Sequence, residues 1–354
     1  MRVERAAFLG LALAFAIALS TLPTRAWGGQ SSVQVEENLV QETVRSLATV
    51  VDREYFDPDV AERVKDALLV RLADGRYLRA RTVESLASML TDDLYELTSD
   101  RHLAVSVVRP PDPDPSSAQA SDDSGQQRGR RSNFGIEQVR TLGGNVGYLD
   151  ITFFYRPDEA SDPIAAAMQL LRNSDALIVD MRTNAGGSPG TVALFASHFL
   201  DSPGVPLFEI VHRYGAKDGY STADPAIPNR DGVRPLYVLT SARTFSAGEG
   251  FAFLVNEQRR GEVVGEKTPG AANPGRAYPV NSRFEVIVPN GQVRMAVSGR
   301  NWEGVGVTPD IEVPATDALR VAHGRALRSL LNATPNGSWA DALRKELEKL
   351  DGKE

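Results

Sequence analysis

The sequence predicts an α/β fold in which a helical domain precedes a sheet covered by helices. Two observations support this class. From residue 134 onward, apolar runs of strand length alternate with segments whose apolar residues recur at helical spacing, a rhythm typical of a largely parallel sheet. Before that point, residues 35–101 are rich in helix formers with helical periodicity. The 354 residues suffice for two domains or for one domain with appendages.

The first 26 residues have the layout of a secretory signal peptide. Arg2 and Arg5 form a basic start, residues 6–19 form an apolar core, and the small residues of "TRA" at 24–26 suit cleavage. The apolar core is short for a membrane-spanning helix, and no later segment has the length or apolarity to span. We therefore expect a protein exported to the periplasm or the extracellular space, with an uncleaved membrane anchor as the alternative.

The rest of the chain divides by composition. The predicted helical domain, 35–101, is followed by residues 109–132, which are rich in Pro, Ser, Asp and Gln. This second segment contains no large apolar side chain, so we expect a disordered loop or linker there. The predicted core, 134–330, contains the strands and helices of the sheet, and residues 331–354 are expected to form a C-terminal helical tail.

Within the core, three apolar runs predict strands, and each is followed by a helical pattern. They are "NVGYLDI", "DALIVDM" and "PLYVLT". Two further runs, "RFEVIVP" and "QVRMAVS", flank Asn290-Gly291. Asn-Gly is favoured in two-residue turns, so these runs predict a β-hairpin.

The composition excludes several kinds of site. Cysteine is absent, which rules out disulfides, thiolate catalysis and cysteine-bound metals. The four histidines are scattered and no HExxH motif occurs, so we expect no metal and no other cofactor. The net charge of −7 argues against a nucleic-acid partner.

Two serines are candidate nucleophiles. Ser188 lies in "GGSPG", a G-x-S-x-G match that suggests an esterase, but its glycines sit four residues beyond the strand and more simply form a turn. Ser246 lies in "TSARTFSAGEGFAF", where a strand, a tight turn and a helix follow one another, and free N–H groups at a helix start would stabilise an oxyanion. Ser246 and Glu249 equally fit a capping box, and spacing alone does not separate the two interpretations.

Among the histidines, His102 is the candidate general base. It closes the helical region and opens a strand, a boundary where side chains face clefts. His198, His212 and His323 lie within a helical pattern, a strand pattern and the C-terminal helix, and we interpret them as structural.

Four runs, in order, resemble the C-terminal-processing and tricorn-core serine peptidase family. They are "DALIVDMRTNAGGSPG", "YVLTSARTFSAGEGFAF", "VVGEKTPGAANPG" and "NWEGVGVTPDIEV". The resemblance covers roughly residues 35–330 and is nearest to the branch that includes the interphotoreceptor retinoid-binding protein modules. It implies a crotonase-like spiral of β-β-α units behind a helical N-terminal domain. No segment between His102 and Gly147 suggests the PDZ domain that the processing proteases usually carry.

At matching positions, the resemblance implies Ser246 as the nucleophile, His102 as the general base and Glu303 as the acid that orients the base. The backbone amides implied in an oxyanion hole are those of Ala247 and of Gly186 or Gly187. The combination is chemically coherent, because a serine hydroxyl needs a neutral imidazole to remove its proton and the imidazole needs an acceptor to fix its tautomer.

Two departures from the family pattern bear on the mechanism. The processing branch uses a Ser-Lys dyad with the lysine about 25 residues after the serine, and here Ala271 stands at that position. Lys267 lies four residues earlier and is expected to be a surface charge, so catalysis by this chain must use the histidine. Tricorn members supply a serine directly before the histidine, where this chain has Arg101.

The sequence therefore predicts an exported serine peptidase acting on peptides or unfolded proteins, in an oligomeric state that it leaves open. One alternative is a non-catalytic carrier of apolar ligands, since Phe245, Phe251 and Trp302 could line a ligand pocket or pack in the core. A further alternative is an esterase that uses Ser188 with His323.

Overall fold

The computed structural model describes residues 35–108, 125–200, 202–224 and 234–352. The predicted signal peptide, 1–26, and the greater part of the predicted linker lie outside the described residues. Within the described ranges, none of the helices combines the length and the apolarity needed to cross a membrane.

Three helices form the N-terminal region. They are α1 (Glu37–Glu54), α2 (Pro58–Ala73) and α3 (Val83–Thr98). Helix α2 begins where the Asp57 carboxylate accepts the backbone amides of Asp59 and Val60, with proline at the first helical position. Helix α3 begins where the Thr82 hydroxyl accepts the Ser85 amide at 3.1 Å. Apolar faces of the three helices pack into one shared core, so the region is held by burial as well as by its helix caps.

Six strands form the central sheet, in the order β12-β8-β7-β4-β3-β2. Their bounds are β2 (Ile136–Leu142), β3 (Val146–Ile151), β4 (Ala176–Asp180), β7 (Leu236–Thr240), β8 (Glu262–Gly265) and β12 (Ile311–Glu312). All neighbouring pairs are parallel except β2 with β3. This mixed α/β architecture with a helical N-terminal region agrees with the predicted fold class.

Helices cover both faces of this sheet. They are α5 (Pro157–Leu170), α6 (Pro189–Ala196) and α7 (Ala247–Glu257) on one face, and α8 (Ala315–Ala333) and α9 (Ser338–Leu350) on the other. Alternate strand residues divide between the two cores: Val179 packs toward the first group and Ile178 toward the second. Because both faces are covered, the central parallel strands β4 and β7 are buried at every residue rather than at alternate ones.

Two small three-stranded sheets flank the central one. One has the order β1-β10-β9 and the other β11-β5-β6. The bounds are β1 (Ala104–Val107), β5 (Pro206–His212), β6 (Lys217–Ser221), β9 (Gly275–Pro279), β10 (Phe284–Pro289) and β11 (Gly291–Met295).

The predicted hairpin at Asn290-Gly291 is wrong. Strand β10 pairs with β1 and β9, whereas β11 pairs with β5 in the other small sheet. The reason lies in burial: Phe284 and Val286 of β10 pack into the helical core, while Met295 of β11 packs into the core of the central sheet. The Asn-Gly turn therefore passes the chain between layers instead of folding it back on itself.

The C-terminal part of the predicted linker is also structured, contrary to expectation. A short helix, α4, spans Gly125–Arg131. Gly129 lies so close to Phe134 that an added Cβ would be 2.7 Å from the ring, and the Ser132 and Tyr155 hydroxyls are 3.0 Å apart. Aromatic residues outside the segment thus hold it, which the composition of the segment itself does not indicate.

The loops that follow β4 and β7 meet at the carboxyl edge of the sheet, the usual place for a site in a parallel sheet. The Thr244 hydroxyl donates to the Met181 carbonyl at 2.8 Å, and the Phe245 amide donates to the Asn184 carbonyl at 2.9 Å. These cross-links fix the position of Ser246 at the end of the second loop.

Candidate active site

Ser246 adopts an unusual backbone conformation at the start of α7. Its φ is 53° and its ψ is −118°, a combination that non-glycine residues rarely occupy and that is found most often at functional sites. The Ser246 amide donates to the Glu249 carboxylate at 2.9 Å. The tight turn thus fixes the backbone position from which the Ser246 side chain extends.

Glu249 holds this turn together. The side chain is fully buried, and its carboxylate accepts the Thr268 hydroxyl at 2.6 Å. It also accepts the amides of Gly270 at 2.7 Å and Ala271 at 2.9 Å. Burial raises the pKa of Glu249 while these bonds oppose that rise, and each bond ties α7 to the loop after β8. These contacts give Glu249 a structural role in fixing the turn.

His102 lies directly against Ser246. Its Nε2 atom is 3.0 Å from the Ser246 Oγ atom, and its ring centroid is 5.1 Å from that of Phe245. Burial lowers the pKa of His102 to about 4, because water no longer solvates the charged imidazolium. The imidazole is therefore neutral at pH 7 and able to accept a proton.

Glu303 lies near the imidazole, with a carboxylate oxygen within 4.8 Å of a ring nitrogen of His102. Its Oε2 atom accepts the backbone amides of Ala272 at 2.6 Å and Asn273 at 2.9 Å, whereas its Oε1 atom is buried without a hydrogen-bond partner. The Nδ1 atom of His102 is likewise buried without a partner. Burial and the nearby Asp100 raise the pKa of Glu303 to about 7. The structure thus brings Ser246, His102 and Glu303 together.

A second carboxyl group, Asp100, accompanies Glu303. Asp100, His102 and Glu303 each place one nitrogen or oxygen atom within 4.8 Å of the others. A cluster of this size has metal-ligand spacing, but the His102 Nε2 atom faces Ser246 and Glu303 already accepts two amides. We therefore interpret the cluster as an acid–base network.

Of the three backbone amides considered for an oxyanion hole, two are without a hydrogen-bond acceptor among the described residues. The Gly186 amide donates to the Asn184 side chain at 2.9 Å and is therefore engaged. The amides of Gly187 and Ala247 donate no hydrogen bond within the described parts of the chain. Both glycines are needed sterically: a Cβ on Gly186 would lie 2.8 Å from the Ser246 Cβ, and one on Gly187 would lie 2.1 Å from the Phe154 carbonyl oxygen.

A small apolar pocket opens beside Ser246. Its volume is about 40 Å³. Trp302 forms one wall and donates its indole N–H to the Ala271 carbonyl at 2.9 Å. Phe245 contacts the His102 ring, and Phe251 is fully buried among the aromatic residues of the core. Of the three aromatic residues considered for a ligand pocket, only Trp302 lines this one.

The alternative nucleophile occupies a different setting. Ser188 precedes α6, where its hydroxyl accepts the Thr191 amide at 3.4 Å. Its proposed partner, His323, has its Nε2 atom 2.8 Å from the Gly143 carbonyl oxygen. Among the described residues no hydrogen bond joins Ser188 to His323. Lys267 is exposed, and Ala271, at the position of the family lysine, is fully buried.

Sequence reasoning missed three residues of this site. Asp100 stands two residues before His102, a spacing at which an aspartate commonly accepts a backbone amide, so a local signal existed. Tyr55 and Asn273 both donate to the Asp100 carboxylate, at 3.3 and 3.1 Å, from remote parts of the chain. No pattern in the sequence indicates those two contacts.

A partly buried Ser–His contact, a nearby carboxyl group and two unengaged amides are features of a serine-hydrolase site. Comparison with known proteins agrees. The sequence model for peptidase family S41 matches residues 145–313, and the model for the N-terminal domain of peptidase S41 in eukaryotic IRBP matches residues 33–130. The chain belongs to peptidase family S41.

Individual curated relatives match only part of this chain, at modest sequence identity. The chain is 32% identical to carboxyl-terminal-processing peptidase 2, chloroplastic, of Arabidopsis thaliana over 48% of this chain and 32% of that protein. It is 25% identical to the carboxy-terminal processing protease CtpB of Bacillus subtilis over 53% of this chain and 39% of that one. The matches thus span about a third of these curated relatives.

One solved structure supports the fold. The crystal structure of a putative peptidase from Parabacteroides merdae superposes with a TM-score of 0.54 at 19% identity, covering 81% of this chain and 96% of that one. At this identity the likeness concerns the fold alone.

Proposed function

We propose that this protein is an exported serine peptidase that cleaves peptide bonds through an acyl-enzyme on Ser246. The observation that carries the proposal is the 3.0 Å separation between the Ser246 Oγ and His102 Nε2 atoms, with the imidazole neutral at pH 7. A hydroxyl becomes a strong nucleophile when a positioned neutral base removes its proton as it attacks. Membership of a peptidase family supports the same assignment.

Each remaining group has a role in this mechanism. His102 takes the proton from Ser246 as the serine attacks the scissile carbonyl, and returns it to the leaving amine. Glu303 lies beside the imidazole, where its carboxylate would orient the ring and stabilise the imidazolium. The free amides of Gly187 and Ala247 would bind the oxyanion of the tetrahedral intermediate. A water molecule then hydrolyses the acyl-enzyme with His102 again as the base.

The structure around Ser246 disfavours a lysine as the general base. Ala271 supplies no amine at the position of the family lysine, and Lys267 lies on the surface. The proposal therefore uses the histidine-dependent chemistry rather than a Ser-Lys dyad.

Three further expectations belong to the proposal. Residues 134–330 would form a crotonase-like spiral of β-β-α units without a PDZ domain, supported by the parallel order of β3, β4, β7 and β8. Export is supported by the signal-like residues 1–26. Peptides or unfolded proteins would be the substrates.

The pocket beside Ser246 gives no support to the carrier alternative. The apolar pocket beside Ser246 holds about 40 Å³, whereas sites for drug-sized ligands enclose about 300–1,000 Å³. A carrier also has no need of an imidazole placed against a serine hydroxyl.

Incubation of the purified protein with an unfolded protein such as reduced casein, followed by mass spectrometry of the fragments, tests the proposed function. We expect cleavage by the wild type and none by the Ser246→Ala or His102→Ala variants. The Ser188→Ala variant serves as the matched control and should retain cleavage. Cleavage by a well-folded Ser246→Ala variant would overturn the assignment.

A further inference from the structure

Asp100 is a buried acid for which neither the family resemblance nor the proposed mechanism gives a role. It follows α3 and is only 1% exposed. Its Oδ1 atom accepts the His102 amide at 3.0 Å and lies 4.0 Å from the His102 Nδ1 atom. Its Oδ2 atom accepts the Asn273 side-chain amide at 3.1 Å and the Tyr55 hydroxyl at 3.3 Å. The residue thus joins the base to two distant segments.

We propose that Asp100 is a positioning residue that pairs with Glu303 beside the Nδ1 atom of His102, so that the two carboxyl groups hold one proton between them. The pair then sets the pH at which His102 becomes an efficient base. This inference rests on the proposed function, because it concerns the same Ser246–His102 site.

The surroundings of the pair favour a shared proton. Among the described residues, every hydrogen-bond donor to the two carboxyl groups is neutral: backbone amides, the Asn273 side chain and the Tyr55 hydroxyl. Two buried carboxylates a few ångströms apart repel each other strongly, so one of them keeps its proton to a higher pH. Burial raises the pKa of Asp100, and burial together with Asp100 raises that of Glu303 to about 7.

Buried atoms without a hydrogen-bond partner around the imidazole also favour a shared proton. His102 Nδ1, Glu303 Oε1 and Asn273 Oδ1 are all buried without a hydrogen-bond partner. Buried polar atoms normally find partners. A proton on Glu303 Oε1 would supply a donor for such an acceptor, and its loss would leave a carboxylate to accept the Nδ1–H of the imidazole.

Few charged or titratable groups among the described residues face Glu303. Besides Asp100 and His102, the buried Glu249 raises the pKa of Glu303 through its charge. Tyr55 is the remaining group, and burial together with Asp100 and Glu303 raises its pKa, so it stays neutral. Arg101 directs its guanidinium to the Pro269 carbonyl at 3.0 Å. Among these groups, Asp100 therefore has the strongest electrostatic effect on the pKa of Glu303.

The raised pKa of Glu303 determines how the reactivity of Ser246 should change with pH. Because the pKa of Glu303 is raised, the carboxylate that orients His102 appears only as the pH rises through about 7. The rate of Ser246 attack should rise over the same range. Removal of the Asp100 charge lowers the pKa of Glu303, so the rise should then occur at lower pH.

The test is the rate constant for labelling of Ser246 by a fluorophosphonate, measured from mildly acidic to mildly alkaline pH. We expect the midpoint for Asp100→Asn to lie roughly one pH unit below that of the wild type, with a reduced plateau. Asp93→Asn is the matched control. Asp93 is a fully buried aspartate on α3 that accepts a tyrosine hydroxyl at 2.8 Å, so its variant should lose stability without moving the midpoint.

A second readout does not depend on activity. In a Ser246→Ala background, the NMR shifts of the His102 ring should show an inflection near pH 7 that moves to lower pH with Asp100→Asn and disappears with Glu303→Gln. An inflection that is unchanged by Asp100→Asn, or absent from the parent protein, would overturn the carboxyl pair. Failure of the wild type to be labelled would instead refute the proposed function, while the NMR titration still decides the pair.

Discussion

Ser246 illustrates how one residue satisfies two interpretations of the same sequence pattern. Its amide donates to Glu249, as in half of a capping box, while its hydroxyl lies 3.0 Å from His102. Helix capping and nucleophile presentation are therefore compatible here. The turn that strains the Ser246 backbone also places the serine side chain beside the imidazole.

Gly186 is the residue whose side chain would disturb the site most directly. Its φ is +101°, and an added Cβ would lie 2.8 Å from the Ser246 Cβ. We expect Gly186→Ala to lower fluorophosphonate labelling at least about 100-fold, through a misplaced serine and oxyanion hole, and to cost about 1–3 kcal/mol of unfolding free energy.

Labelling kinetics and denaturant unfolding measure the two effects. Gly190→Ala is the control, since Gly190 has no positive φ and its Cβ would lie 3.1 Å from a proline side chain. Equal labelling of the two variants would contradict the steric argument.

At the scale of elements, the packing of helix α3 positions His102, which follows it, beside Ser246. Leu94 in its last turn is fully buried, whereas Leu69 on α2 is 38% exposed. We expect Leu94→Ala to lower the unfolding free energy by about 2–5 kcal/mol and Leu69→Ala by much less, because only the first substitution leaves a cavity. Urea unfolding of both variants provides the measurement, and similar losses would contradict this packing.

Element types were largely predictable from the sequence, because strands β3, β4 and β7 are apolar runs bounded by turns and their helices have clear periodicity. Partners of strands were not. The Asn290-Gly291 turn looked like a hairpin turn, yet burial sends β10 and β11 to different sheets. Local turn chemistry indicates where a chain bends, but the layer that buries each strand is a property of the whole fold.

The site was predictable to a similar degree. Motif resemblance placed Ser246, His102 and Glu303 together, and the geometry of the described residues is compatible with those assignments. Tyr55 and Asn273 could not be predicted, since their contacts to Asp100 span 45 and 173 residues of chain. Such contacts follow only from the packed structure.

At the scale of the molecule, the buried histidine makes stability depend on pH. The folded-state pKa of His102 is lowered from 6.5 to about 4, so the unfolded chain binds the proton more readily between these values. The stabilisation due to neutral His102 is therefore present above pH 6.5 and lost as the pH falls toward 4. Its full size is on the order of 3 kcal/mol.

The comparison of wild type with His102→Gln isolates the contribution of His102. The raised pKa of Glu303 lowers the stability as the pH rises, but it does so in both proteins and cancels in the difference. We expect the unfolding free energy of the wild type relative to the variant to rise as the pH rises from about 4 to 6.5. Guanidinium unfolding at several pH values measures the difference. A difference that is constant with pH would contradict the burial of a neutral imidazole.

Labelling of the purified protein by a fluorophosphonate, with the adduct located by peptide mass mapping, tests whether Ser246 is an activated nucleophile. We expect one adduct, on Ser246, that is absent from Ser246→Ala, lost or slowed at least about 1,000-fold in His102→Ala, and unchanged in Ser188→Ala. An adduct on Ser188, or no adduct on a folded wild-type protein, would contradict an activated Ser246.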